Sequence, residues 1–186
     1  MTPRTRMLLI AFFVSIVLAV LLSLAETPIK DIAKSIEIVD FKSKWVQRYG
    51  AVGPHEVLLV PAITFRVKNV GNKPLKYINF NAVFIRKPTG IKLGSAFIAG
   101  IRGKALKPGE VSEPIEMISV AGYIASSLKA FIDNPFWEPV ECKLFVNKGE
   151  DFALIGIFDV EQKIEGLEDL LPAKVLQKGL KGSPRR

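Results

Sequence analysis

Few residues in this 186-residue chain are of a type that does chemistry. A catalytic or metal site needs several groups of matched kind brought together, and the chain holds one His and one Cys. That excludes the Cys/His zinc frameworks, which need three or four such ligands. It also excludes an intramolecular disulfide. His55 lies in the polar turn Gly53-Pro54-His55-Glu56 with no partner pattern around it, and reads as a surface-loop histidine. Cys142 alternates with Val140 and Leu144 and reads as a small core hydrophobe, with a reactive thiol or an intermolecular disulfide as the other reading. Ser126 stands three residues before Lys129, the spacing of Ser-Lys hydrolases, but the companion motifs of that class are absent. There is no Gly-x-Ser-x-Gly elbow and no Gly-rich phosphate loop ending in Lys-Ser/Thr. Glu150-Asp151 and Glu168-Asp169 flank turns, where solvated charge accounts for them better than weak loop-bound calcium. The expectation is a protein without catalytic residues, metal or cofactor.

Two features point to contact rather than chemistry. Phe136-Trp137, bounded by Asn134-Pro135 and Glu138-Pro139, sets two large aromatics in a stiffened loop. They either plug one end of the fold or anchor a partner protein or lipid surface, since aromatics are enriched in binding hot spots. The second feature is a basic tail, Lys174, Lys178, Lys181, Arg185 and Arg186. It is either solvated or held at an anionic lipid or polymer, where each basic residue is worth roughly 1 kcal/mol.

Charge distribution narrows the partner class. The net charge of +8 arises at the two ends, Arg4 and Arg6 at one and the basic tail at the other, while the stretch between carries 19 bases against 18 acids. A body so nearly neutral is not a nucleic-acid-binding domain. Met7 to Ala25 is an uncharged apolar run of 19 residues, about 28 Å long as a helix and close to the hydrocarbon thickness of a bilayer. Arg4 and Arg6 before it favour a cytoplasmic amino end, with the rest of the chain across the membrane. The run is either a retained anchor or a signal peptide cleaved after Ser23-Leu24-Ala25. Both readings export the body, to the periplasm or the cell surface.

The elements that must position these residues are strands. Short apolar stretches alternate with period two and are punctuated by Gly, Pro and Asn. Strands are expected from Ile36 to Gln47, Val57 to Val70, Ile78 to Phe84, Ile91 to Ile101 and Val111 to Val120. A closing hairpin joins Glu141–Val146 to Phe152–Val160. In the second strand Ile63, Phe65 and Val67 share one face; in the third Ile78, Phe80, Ala82 and Phe84 do. Pro61 marks a bulge, an edge or the true start of the second strand, because it lacks a ladder donor. Val120 to Ile132 permits one or two helical turns as a connection, ended by Asn134-Pro135. Leu167, Leu170, Leu171, Val175 and Leu176 fall at roughly helical spacing, interrupted by Pro172. The expected fold is an all-β sandwich of about seven strands, covering residues 26–169 between the N-terminal segment (1–25) and the tail (170–186).

The passage Phe65 to Phe84, with its Val67-Lys-Asn-Val-Gly71 turn and the Pro74-Leu75 pair, resembles the first hairpin of FxLYD-type domains. Gly90, Leu93-Gly94 and Leu106-Lys-Pro-Gly-Glu110 match that family's later turns in order and spacing. Late-embryogenesis-type domains share the same turn grammar. The resemblance covers about residues 57–120 and implies an immunoglobulin-like sandwich of an exported prokaryotic protein, with a binding or structural role and no activity. The function expected is therefore a membrane-anchored, non-catalytic binding or scaffolding module of the cell envelope, with an envelope protein as partner. The alternatives are an exported lipid carrier that opens between its sheets and a hydrolase with a loop-built site at His55 or Ser126.

Overall fold

The computed structural model describes residues 28–48, 53, 55–132, 134 and 136–167. The expected membrane segment (1–25) and basic tail (170–186) lie outside them. Among the described residues no helix is long and apolar enough to cross a membrane.

Among the described residues, eight strands form two antiparallel sheets. A short helix, α1 (Ile29–Lys34), leads into β1 (Ile36–Arg48), β2 (Val57–Asn69), β3 (Ile78–Arg86), β4 (Lys92–Ile101), β5 (Ile115–Ile118) and β6 (Tyr123–Ala125). One helical turn, α2 (Lys129–Ile132), precedes β7 (Val140–Lys148) and β8 (Asp151–Val160). The first sheet runs β1-β2-β5, with β6 also pairing β2; the second runs β4-β3-β7-β8. Their inner faces meet in one core, where Phe65 of β2 approaches Phe80 of β3 edge-on at 5.4 Å. Both rings are fully buried, so side chains fill the plane between the sheets.

The alternation read from the sequence is the alternation of burial. Ile78, Phe80, Ala82 and Phe84 point inward along β3, as do Ile63, Phe65 and Val67 along β2. In β1 the parity changes partway, from Ile36 and Ile38 to Ser43 and Trp45. Asp40 sits there at φ 53°, and the register with β2 shifts between Val39 and Lys42. Asp is among the few non-Gly residues that accept this conformation. The extra residue is a bulge that turns Trp45 into the core.

Pro61 lies inside β2, which has neighbours on both sides. Ser119 donates to its carbonyl at 2.9 Å, so the backbone edge of Pro61 faces β5 and β6 rather than β1. β5 covers Ala62 to Phe65 and β6 covers Val57 to Leu59, so Pro61 occupies the gap where one gives way to the other. No ladder donor is missed. The expected fifth strand shortens to Ile115–Ile118, since Pro114 lacks a donor and Ser119 folds back on Ala121 through its Oγ; a lone Lys68–Val111 bridge is all that precedes it.

Asn69 ties the turns at the α1 end together. It is fully buried; its Nδ2 donates to the carbonyls of Lys73 and Leu106, each at 2.9 Å, and its Oδ1 accepts from the Gly71 amide at 3.0 Å. Its backbone bonds Gly109 and Glu110. One side chain thus joins the 70–75 turn to the 106–110 turn.

Candidate functional site

The opposite end of the sandwich is closed by a layer of rings. Trp45, brought inward by the β1 bulge, faces Tyr123 of β6 at 5.7 Å and Trp137 at 5.6 Å, the latter nearly perpendicular. Phe131 of α2 meets Trp137 edge-on at 6.2 Å. β6 reaches β2 because residue 122 is Gly: a Cβ there would overlap the Leu59 carbonyl. The Ser127 hydroxyl accepts from the Ala130 amide and caps α2, a role the spacing Ser126 to Lys129 did not suggest.

The segment before β7 is held tightly. The Phe136 amide donates to Asn134 Oδ1 at 2.9 Å, and the Trp137 amide donates to the Asn134 carbonyl at 3.1 Å. Gln162 Nε2 donates to the Trp137 carbonyl at 2.8 Å, and the Lys87 amide donates to the Pro139 carbonyl. The structure divides the aromatic pair: Phe136 is 79% exposed and Trp137 is 7% exposed. Of the two candidate contact residues, Phe136 is the one open to solvent and Trp137 is part of the end layer. Adjacent residues point to opposite sides, and the Trp137 side is taken by Trp45 and Phe131.

At this end of the sandwich lies an unusual set of polar atoms. Arg86 Nε is 3.8 Å from Glu138 Oε2, and both side chains are half-buried. Those two atoms, with Trp45 Nε1, Trp137 Nε1 and the Tyr123 hydroxyl, are the buried side-chain polar atoms without a hydrogen-bond partner among the described residues. All belong to this one cluster. Burial, reinforced by the Glu138 carboxylate, raises the Tyr123 pKa and keeps the hydroxyl protonated. Four donors and one acceptor suit a carbonyl or carboxylate oxygen, or ordered water. They include no nucleophile.

The other candidate residues do not converge on this cluster. His55 is exposed in the turn before β2, and Ser126 and Lys129 are exposed around α2. Cys142 is fully buried on β7, and burial pushes its thiol up to about 12, so it is not a thiolate at neutral pH. Glu150 and Asp151 are exposed at the β7–β8 turn. Among the described residues no group of three His, Cys, Asp or Glu side chains could hold a metal ion. Lys174, Lys178, Lys181, Arg185 and Arg186, with the pair Glu168-Asp169, lie outside the described residues. Sequence reading missed Trp45, Arg86, Tyr123 and Glu138. A partial signal was present in Glu138, a charge set between Trp137 and Pro139.

No family model matches the chain, and no curated protein matches it. Among solved structures, the Northeast Structural Genomics Consortium target SoR45 is similar at 14% identity and a TM-score of 0.40, over 83% of this chain and 97% of that one. A Bordetella pertussis protein described as ApaA is similar at 13% identity and a TM-score of 0.34, over 70% and 94%. A protein from Archaeoglobus fulgidus is similar at 12% identity and a TM-score of 0.32, over 66% and 92%. Likeness at this distance carries nothing about activity.

Proposed function

We propose that this protein is a membrane-anchored, exported module of the cell envelope that binds or scaffolds a partner protein and performs no catalysis, and that its two sheets form an immunoglobulin-like sandwich. The observation that carries the reading is Phe136, 79% exposed on a turn whose flanking backbone is bonded from three sides. A large apolar side chain on a rigid support loses little entropy when a partner covers it.

The direction of the chain supports a protein partner over the bilayer. α1, which follows directly on the segment 1–27, packs beside the Asn69 turns, where β1 begins. Phe136 lies where β1 ends, roughly 40 Å away for a strand of 13 residues. Phe136 thus lies at the end of the sandwich remote from residue 28, where the described chain begins. The filled plane between the sheets does not favour a lipid carrier. The basic tail adds affinity for an anionic surface without specificity.

A reporter fused after Arg186 tests the export half of this reading. It is expected to be active only when exported, and cytoplasmic activity would overturn it. Mass spectrometry of the native amino terminus decides separately between an anchor and a cleaved signal.

A further inference from the structure

A pocket of about 300 Å³ opens at the α1 end of the sandwich, away from Phe136. That volume is at the lower end of small-ligand sites. Three segments wall it: α1 with Asp31, the 72–76 turn with Lys73 and Lys76, and the end of β7 with Lys148. Ile32, Leu75 and Ile78, all buried, supply an apolar floor. The walls are fixed without any ligand. Asn69 holds the 70–75 turn from within, Ser35 Oγ donates to the Asp31 carbonyl at the end of α1, and Lys148 closes the β7–β8 hairpin against Asp151.

The lining carries three bases against one acid. Lys73, Lys76 and Lys148 make no ion pair among the described residues, whereas Lys44, Lys68, Lys87 and Lys143 each do. Asp31, the acid, has Lys34 beside it at 3.8 Å, outside the lining. Uncompensated positive charge is therefore gathered here. Lys76 is also held over the Tyr77 ring, 4.7 Å from its centroid. Tyr77 is 62% exposed and has φ 57°, a region that bulky side chains avoid. Strain of this kind persists where its surroundings impose it, and it gathers at ligand sites. Here it sets the ring beneath Lys76 and limits the freedom of the ammonium group.

We infer that this pocket binds a phosphomonoester, its phosphoryl group among the three lysines and its organic part on the apolar floor. Three bases and one acid leave a charge of +2, which matches a phosphomonoester, nearly a dianion at neutral pH, better than a single carboxylate. Each ammonium offers three rotatable donors to the phosphate oxygens. Such charge-assisted hydrogen bonds are stronger than neutral ones. Asn72 adds a side-chain amide to the lining. A soluble phosphomonoester and the headgroup of a lipid share this chemistry. The inference stands whether or not Phe136 meets a partner.

Lysine acylation of the full chain in dodecyl maltoside, read residue by residue by mass spectrometry, tests it. The probes are glycerol 3-phosphate in solution and dioleoyl phosphatidic acid in the micelle. Glycerol and dioleoylglycerol are their phosphate-free controls. Lys129, exposed on α2, is the internal reference. Lys73, Lys76 and Lys148 are expected to react at least about fivefold more slowly relative to Lys129 with a phosphate probe, and at unchanged rates with the controls. Protection by glycerol 3-phosphate assigns the pocket to a soluble phosphomonoester, and protection by phosphatidic acid alone assigns it to a lipid. No protection by either probe, or equal protection by the controls, would overturn the inference. Calorimetry with the probe that protects gives an independent reading. Lys73→Gln with Lys148→Gln is expected to weaken binding by about tenfold or more. Lys30→Gln with Lys104→Gln removes the same charge outside the lining and is expected to cost less than about twofold. Equal losses would make the attraction a diffuse field and contradict a pocket. Asp31→Asn is expected to tighten binding about threefold; no gain would place the ligand outside this lining.

Discussion

Replacing Phe80 by Ala removes the ring on which the two sheets meet. Phe80 is fully buried, its ring stands edge-on to Phe65 at 5.4 Å, and it lies directly over residue 100 of β4, where a Cβ would overlap it. Gly100 is therefore the complement of this ring. Phe80→Ala is expected to cost about 3–5 kcal/mol, the lost transfer energy plus the cavity left behind. With a urea dependence of about 2 kcal/mol per molar, that moves the unfolding midpoint down by about 2 M. Gly100→Ala alone is expected to cost about 1–3 kcal/mol by overpacking. In the Phe80→Ala background the same change meets only Ile115 Cδ1 at 3.1 Å, the end of a side chain that can shift into the space left by the ring, and costs less than about 0.5 kcal/mol, a coupling the double-mutant cycle reads directly. Trp45 and Trp137, both buried, report unfolding by fluorescence. Effects that add to within about 0.5 kcal/mol, or a Phe80→Ala loss below about 1 kcal/mol, would refute the packing described.

Three further outcomes are expected. Asn69→Ala leaves two carbonyls and one amide without their side-chain partner, and is expected to cost about 2–3 kcal/mol in the same titration; a change under about 0.5 kcal/mol would mean that the turns hold without it. Trp137→Ala is expected to destabilise by about 3–5 kcal/mol as a core change, so a surface-like effect would put Trp137 outside the ring layer. The Cys142 thiol is raised from 9.0 to about 12, so the unfolded chain releases this proton first, and the stability it contributes is intact below pH 9 and falls as pH climbs toward 12. At pH 8 the native thiol is expected to resist alkylation and the urea-unfolded thiol to react; equal rates would show that Cys142 is not sealed.

The alternating strands were legible because their period is local. Ile78 to Phe84 and Ile63 to Val67 display in sequence the same faces they present in the fold. What escaped notice depends on contacts between distant segments. β6 is three residues long and exists because Gly122 admits the Leu59 carbonyl, a fit that no window around Tyr123 contains. Trp45 belongs to the end layer because Asp40 shifts the parity of β1, an extra residue invisible to a period-two count. α1 packs on the sandwich through Ile32, one buried residue in a helix of six, too short to show a period. The second buried cluster, Val46, Leu58, Val60 and Ala62, left a trace that could have been read. Val57 to Ala62 is apolar at every position, which fits a strand covered on both faces. As for the candidate site, the Asn134–Pro139 stretch stood out by its aromatics, while the choice of Phe136 as the exposed one follows from what Trp45 and Phe131 occupy.

Capture of partners from native membranes by Phe136→Ala tests the account most directly, with Phe97→Ala as the control for removing another exposed ring elsewhere. Each variant is first checked by circular dichroism and by its urea midpoint, both expected to match the parent because neither ring is in the core. The account predicts that Phe136→Ala loses at least about tenfold of the captured partner, a hot-spot loss of about 1.4 kcal/mol or more, while Phe97→Ala retains it. Full retention by a folded Phe136→Ala protein would contradict the central claim and leave the loop as a cover for the ring layer beneath it.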